Sequence, residues 1–137
     1  MSRVLVDSNV LLDIITDDAH WFEWSSAALE RCAEENILCI NPVIYAEVSI
    51  RFDQIEDLEA ALPGDLIERL PLPYEAAFLA GKCFLAYRRR GGRRLSPLPD
   101  FFIGAHAAVA GMSLITRDVG RYRACFPKLH LLAPERP

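Results

Sequence analysis

A chain of 137 residues, 52% hydrophobic and 25% charged, has the ~100–200-residue length of one domain and enough apolar side chains for one core. No apolar run approaches the ~20 residues of a membrane span, and Met1-Ser2-Arg3 followed only by Val4-Leu5-Val6 is too short for an export signal, so a cytoplasmic protein without membrane contact is expected. The net charge of -4 conceals a division: residues 1–75 carry sixteen acids and four arginines, net minus twelve, while residues 76–137 carry three acids and eleven arginines or lysines, net plus eight, a basic half suited to a polyanion if the fold gathers it on one face.

In chain order, Arg3 to Val6 is a short strand-like run ending at Asp7, and Ser8 can cap a helix from Asn9 to about Thr16. From Ala19 to Asn36 the apolar residues recur at helical spacing, with Trp21, Trp24, Ala28 and Cys32 on one stripe and acids opposite. Ile37 to Ile40 is a second strand. Asn41-Pro42 then supplies a cap and a first-turn proline for a helix from Val43 to Phe52 that carries Glu47.

Gln54 to Leu62 is a short acidic helix stopped by Pro63-Gly64, and Ile67 to Leu72 is a third strand or extended piece. Tyr74 to Arg90 is a long helix ended by Gly91-Gly92, and a loop from Arg93 to Leu98 leads to Pro99-Asp100, which opens a helix from Phe101 to Ala110. Gly111-Met112 closes it. Ser113 to Thr116 is a fourth strand, Asp118 to about Cys125 a short helix, and Leu129 to Leu132 a last strand.

This alternation argues for an α/β fold, with a mostly parallel central sheet of four to five strands flanked by helices. In such sheets ligands collect at the carboxyl ends of the strands. Asp7 follows the first strand, Asp118 follows the fourth within two residues, and Asp100 opens the helix before it. Glu47, one to two turns into its helix at ~3.6 residues per turn, must reach back. Four converging carboxylates repel one another unless a cation neutralises them. Hard oxygen donors without Cys or His select Mg2+ or Mn2+, and the matching chemistry is phosphodiester hydrolysis by metal-activated water.

The cysteines, Cys32, Cys39, Cys83 and Cys125, form no C-x-x-C pair and sit among apolar neighbours. They read as small buried hydrophobes, with neither a zinc site nor a disulfide expected.

Together Val6-Asp7-Ser8-Asn9, Glu47, Pro99-Asp100-Phe101-Phe102-Ile103-Gly104-Ala105-His106-Ala107, Leu114-Ile115-Thr116-Arg117-Asp118 and the ending Arg121-Tyr122-Arg123 through Phe126-Pro127 resemble a PIN-domain nuclease of the VapC toxin type. The resemblance spans essentially the whole chain. It implies one PIN-like domain over residues 1–137, with Asp7, Glu47, Asp100 and Asp118 as metal-binding catalytic acids. It also implies Mg2+- or Mn2+-dependent RNA cleavage, a small antitoxin that blocks the site, and a homodimer.

Each residue also has a plainer reading. Asp7, Asp100 and Asp118 all suit helix N-caps, whereas Glu47, among Tyr45, Ala46, Val48 and Ile50, needs a partner if buried. Asn9 and Thr116 suit hydrogen bonds to the carboxylates or metal waters, and equally local capping and strand packing. Arg88, Arg89, Arg90, Arg93 and Arg94 around Gly91-Gly92 suit an RNA backbone, as does Arg117 beside the last acid, but arginines also favour a helix C-terminus. His106, six residues past Asp100, turns away toward the core. Trp21, Phe22 and Trp24 form either a core face or a binding face.

Three other functions share these features. A stand-alone PIN-domain RNA-processing nuclease uses the same acids. A phosphoaspartyl hydrolase with Asp7 as nucleophile normally needs a second Asp two residues on, where Asn9 stands. A non-catalytic interaction domain would tolerate loss of the acids.

Overall fold

The structure is a computed structural model that describes residues 2–93 and 98–135. Five parallel strands, β1 (Ser2–Val6), β2 (Asn36–Ile40), β3 (Glu68–Arg69), β4 (Ser113–Ile115) and β5 (Leu131–Leu132), form one sheet in the order β3-β2-β1-β4-β5. Helices α1 (Ser8–Ile15), α2 (Phe22–Glu35), α3 (Pro42–Ser49), α4 (Ile55–Ala61), α5 (Tyr74–Arg89), α6 (Leu98–Ala110) and α7 (Val119–Arg123) flank it. The expected α/β architecture is thus present, with five strands among the described residues.

Burial explains the strand sequences. Val4, Leu5 and Val6 are buried in succession, as are Leu38, Cys39 and Ile40, because a parallel sheet covered by helices has no solvent face on which polar residues could alternate. Val6 pairs in register with Ile115, so Asp7 and Thr116 emerge side by side at the carboxyl edge. Helix α6 is buried through Phe101, Ile103, Gly104, Ala105, His106 and Ala107 and packs on α3, α5, α7 and β4. At Gly104 a side chain would run into the Phe126 ring. His106 lies in this core with Nδ1 at 3.0 Å from Asn41 Nδ2, and burial holds it below the usual histidine range, so it packs neutral as its spacing implied.

Several boundaries differ from the expectations. Helix α2 starts at Phe22 rather than Ala19 because Asp17 takes a left-handed conformation (φ 51°) and Asp18 accepts from the backbone N–H groups of His20 and Trp21, forming a turn first. Helix α6 starts at Leu98, which places Asp100 inside the first turn rather than at its cap. The edge strands β3 and β5 shrink to two residues each, since each has a single neighbour to pair with.

The cysteine expectation needs correction. Cys83 of α5 and Cys125 beyond α7 form a disulfide across 42 residues, with Cα atoms 6.2 Å apart. Spacing carries no sign of it, because only the packing of these segments brings the two Cβ atoms together. Cys32 and Cys39 are free and buried, as expected.

Candidate active site

Asp7 is fixed at the sheet edge by its own backbone, whose N–H donates to Ile115 O at 2.9 Å. Its two carboxylate oxygens divide the work. Oδ1 accepts from Ser8 N at 2.7 Å, making the cap of α1, while Oδ2 accepts from Thr116 Oγ1 and Tyr122 Oη, both at 2.8 Å. Capping and membership of the site therefore coexist. Burial pushes this carboxyl above its ordinary range, and the donors from Tyr122, Thr116 and Ser8 oppose that shift.

Glu47 reaches the same edge from α3. Its Oε1 accepts from Ser8 Oγ at 2.9 Å, and Ser8 Oγ lies 3.5 Å from Asp7 Oδ1, so one hydroxyl links the two acids. Burial, then the charge of Asp7, raises the Glu47 carboxyl, with the Ser8 bond working against both. Asp100 is buried in the first turn of α6. Burial pushes it up to about 7, helped by the charges of Asp7, Glu47 and Asp118 and opposed by Arg121. All four acids thus share one electrostatic neighbourhood.

Asp118 occupies the N-cap position of α7 but makes no capping bond. Its Oδ2 instead takes Arg121 Nε at 2.6 Å, and Arg121 Nη1 lies 3.7 Å from Asp100 Oδ1. Glu47, Tyr87, Arg90, Asp100, Phe101 and Arg121 are among the residues lining an open cleft of about 680 Å³.

Thr116 joins the edges of this site. Its hydroxyl donates to Asp7 and accepts from Asp118 N at 3.1 Å and from Asn9 Nδ2 at 3.4 Å. Asn9 Oδ1 is buried with no hydrogen-bond partner among the described residues, a free acceptor beside the acids.

Of the arginines, Arg90 lines the cleft and Arg88 donates to Arg93 O at 3.4 Å, while Arg89 and Arg93 are exposed. Arg94 lies outside the described residues. Arg117 is drawn away: its Nε and Nη2 grip the buried Asp13 at 2.9 and 3.1 Å, and its guanidinium stacks over Trp21. Ser25 Oγ donates to the same carboxylate at 2.7 Å. Arg117 therefore ties the turn after β4 to α1 and α2. Trp21 and Trp24 meet edge to face and are half-buried.

Ser8, expected to cap α1, is instead its first residue, with Asp7 as the cap and the Ser8 hydroxyl turned to Glu47; Arg121 and Tyr122 stood out only as part of the ending that resembles the family. The signals were modest: an acid and an arginine three apart at Asp118 and Arg121, and one aromatic between two arginines, which in a short helix marks the inward position.

The donor set suits a hard divalent ion, since Asp7, Glu47, Asp100, Asp118 and the unpartnered Asn9 Oδ1 are all oxygen donors and the carboxyl groups repel one another. Among the described residues no three His, Cys, Asp or Glu side chains are grouped to hold a metal as they stand. Tyr122 and Thr116 hold Asp7, and Arg121 holds Asp118 and approaches Asp100.

A family model described as "PIN domain" matches residues 4–127. The chain is also similar in fold to VapBC2 from Rickettsia felis bound to promoter DNA (17% identity, TM-score 0.74, covering 97% of this chain and 99% of that one). VapBC-1 from nontypeable Haemophilus influenzae matches at 17% identity and TM-score 0.71, over 96% and 97% of the two chains. A toxin-antitoxin complex from Klebsiella pneumoniae matches at 23% and 0.66, over 98% and 99%. No curated protein matches the chain.

Proposed function

The chain belongs to the PIN domain family, and we propose that it is a divalent-metal-dependent endoribonuclease, the toxin of a toxin-antitoxin pair. The observation that carries this reading is the convergence on Asp100 of the charges of Asp7, Glu47 and Asp118, with Glu47 and Asp100 both lining the cleft. Four acids from four parts of the chain, with the charges of Asp7, Glu47 and Asp118 all raising the proton affinity of Asp100, form a site that is costly without a bound cation.

Asp7, Glu47, Asp100 and Asp118 would hold Mg2+ or Mn2+, with Asn9 and Thr116 supporting them. The chemistry the ion supplies when bound is Lewis acidity toward a phosphodiester and acidification of the attacking water. The remaining work belongs to the chain. Tyr122 and Thr116 orient Asp7, Ser8 orients Glu47, and Arg90 and Arg121 bring positive charge to the cleft for an RNA backbone.

The similarity to VapBC and toxin-antitoxin structures supports an antitoxin partner, and the same reading takes the protein as a homodimer. No helix among the described residues is long and apolar enough to cross a membrane, and the proposed place of action is the cytoplasm.

The test is cleavage of structured RNAs by wild type and Asp7→Asn with Mg2+, Mn2+ or chelator. Metal-dependent cleavage lost in the variant supports the reading. Cleavage that survives chelation or the substitution rejects the mechanism, covalent phosphate on Asp7 assigns a phosphoaspartyl hydrolase, and partner binding without cleavage assigns an interaction domain.

A further inference from the structure

Arg121 holds a position that the proposed reaction does not explain by phosphate binding alone. Its Nε contacts Asp118 at 2.6 Å and its Nη1 approaches Asp100 to 3.7 Å. Among the described residues, no other cation forms an ion pair with any of the four acids. Arg90 lines the same cleft but makes no such pair.

We propose that Arg121 is the built-in counter-cation of this site and competes with the divalent ion for Asp118 and Asp100. The inference rests on the metal-dependent reading above. A hard divalent ion and a guanidinium draw on the same oxygen lone pairs, and two cations a few ångströms apart repel in a partly buried site. One must leave before the other binds.

The geometry says which one can move. The Arg121 side chain is 54% exposed and that of Asp118 39% exposed, whereas the Asp100 side chain is only 12% exposed. Arg121 swings into the cleft at little cost, because a half-exposed ion pair contributes little to stability. Asp100 lines the same cleft but is far less exposed, so its charge calls for a cation in one form or another. The charge of Arg121 also acts on Asp7 and Glu47, so its departure and an ion's arrival are felt by the whole cluster. Arg121 lines the cleft itself, which leaves the displaced guanidinium where a bound phosphodiester would lie.

The experiment is a Mn2+ titration of the protein alone, without RNA, following the electron paramagnetic resonance signal of free Mn2+. Arg121→Gln is expected to bind Mn2+ tighter than wild type by roughly two- to fivefold, the range of a partly exposed charge pair. Adding Asp118→Asn to Arg121→Gln should remove that gain. An unchanged or weaker Kd in the folded Arg121→Gln protein overturns the competition, and so does a gain that survives the second substitution. Arg121→Lys keeps the charge but loses the two-pronged reach, and it decides the point if circular dichroism shows the glutamine variant unfolded. A tighter Kd for the lysine variant then supports competition and an unchanged or weaker one rejects it. Wild type and variants that all lack saturable Mn2+ binding would instead overturn the metal-dependent function on which the proposal stands.

Discussion

The phenol of Tyr122 donates to Asp7 Oδ2 at 2.8 Å with both residues buried, joining the end of α7 to the acid that follows β1. Burial, and then the neighbouring acids, raise the phenol's own pKa well above the ordinary tyrosine range, so it acts as a donor at every accessible pH. In Tyr122→Phe this carboxylate loses one donor. Stability at neutral pH should fall by roughly 1–3 kcal/mol, read from the urea midpoint, and Mn2+ binding should begin at higher pH. A variant matching wild type in both measurements would show that the bond does not hold the acid.

The pH dependence of stability has a defined sign. Asp7, Glu47 and Asp100 all have raised carboxyl pKa values in the fold, Asp100 at about 7 against 3.8. The folded chain keeps protons that the unfolded chain releases, so stability falls as pH rises from 3.8 toward about 7. The thermal midpoint should decline from about pH 4 to about pH 7, and Asp100→Asn should flatten that decline. Added Mg2+ should raise the wild-type midpoint more at the higher pH. A midpoint that rises across this window contradicts the assignment.

Arg117 is expected to matter for architecture. Arg117→Ala leaves the buried Asp13 carboxylate with Ser25 as its remaining side-chain donor among the described residues. Removing one partner of a pair buried on one side should cost about 2–3 kcal/mol, less than a fully buried pair because Arg117 is partly exposed. RNA affinity measured in chelator should stay near wild type. A large affinity loss without a stability loss would return Arg117 to the RNA-binding surface.

Arg90 is expected to behave oppositely. In Arg90→Ala the urea midpoint should hold, while RNA affinity drops and the slope of log K against log salt shrinks by roughly 1. Arg31→Ala, on α2 and outside the cleft lining, is the comparison. Equal RNA affinity in the two variants would remove Arg90 from the substrate path.

The legible part of this molecule was the part written in local chemistry. The apolar runs ending at Asp7 and shortly before Asp118, and the Asn41-Pro42 start of α3, all reappear in the structure, and Asn41 accepts from Ile44 N as a cap should. Asp100 was expected at the start of its helix, and its place within the first turn of α6 was missed because Leu98 and Pro99 already belong to that turn. The partners of the acids were harder to see. Tyr122 lies 115 residues from Asp7 and Thr116 109 residues away, and no periodicity reports a contact made by strand register. Arg117 appeared as a free charge because its partner, Asp13, is buried on α1 for reasons that only packing reveals.

The Cys83–Cys125 bond ties α5, whose end supplies Tyr87 and Arg90 to the cleft, to the segment just past Arg121 on the opposite wall. A cleft stapled in this way has a set width. Where the thiols are oxidised, its walls cannot part at this point. Where they are reduced, the same two walls lose this tie and can part further.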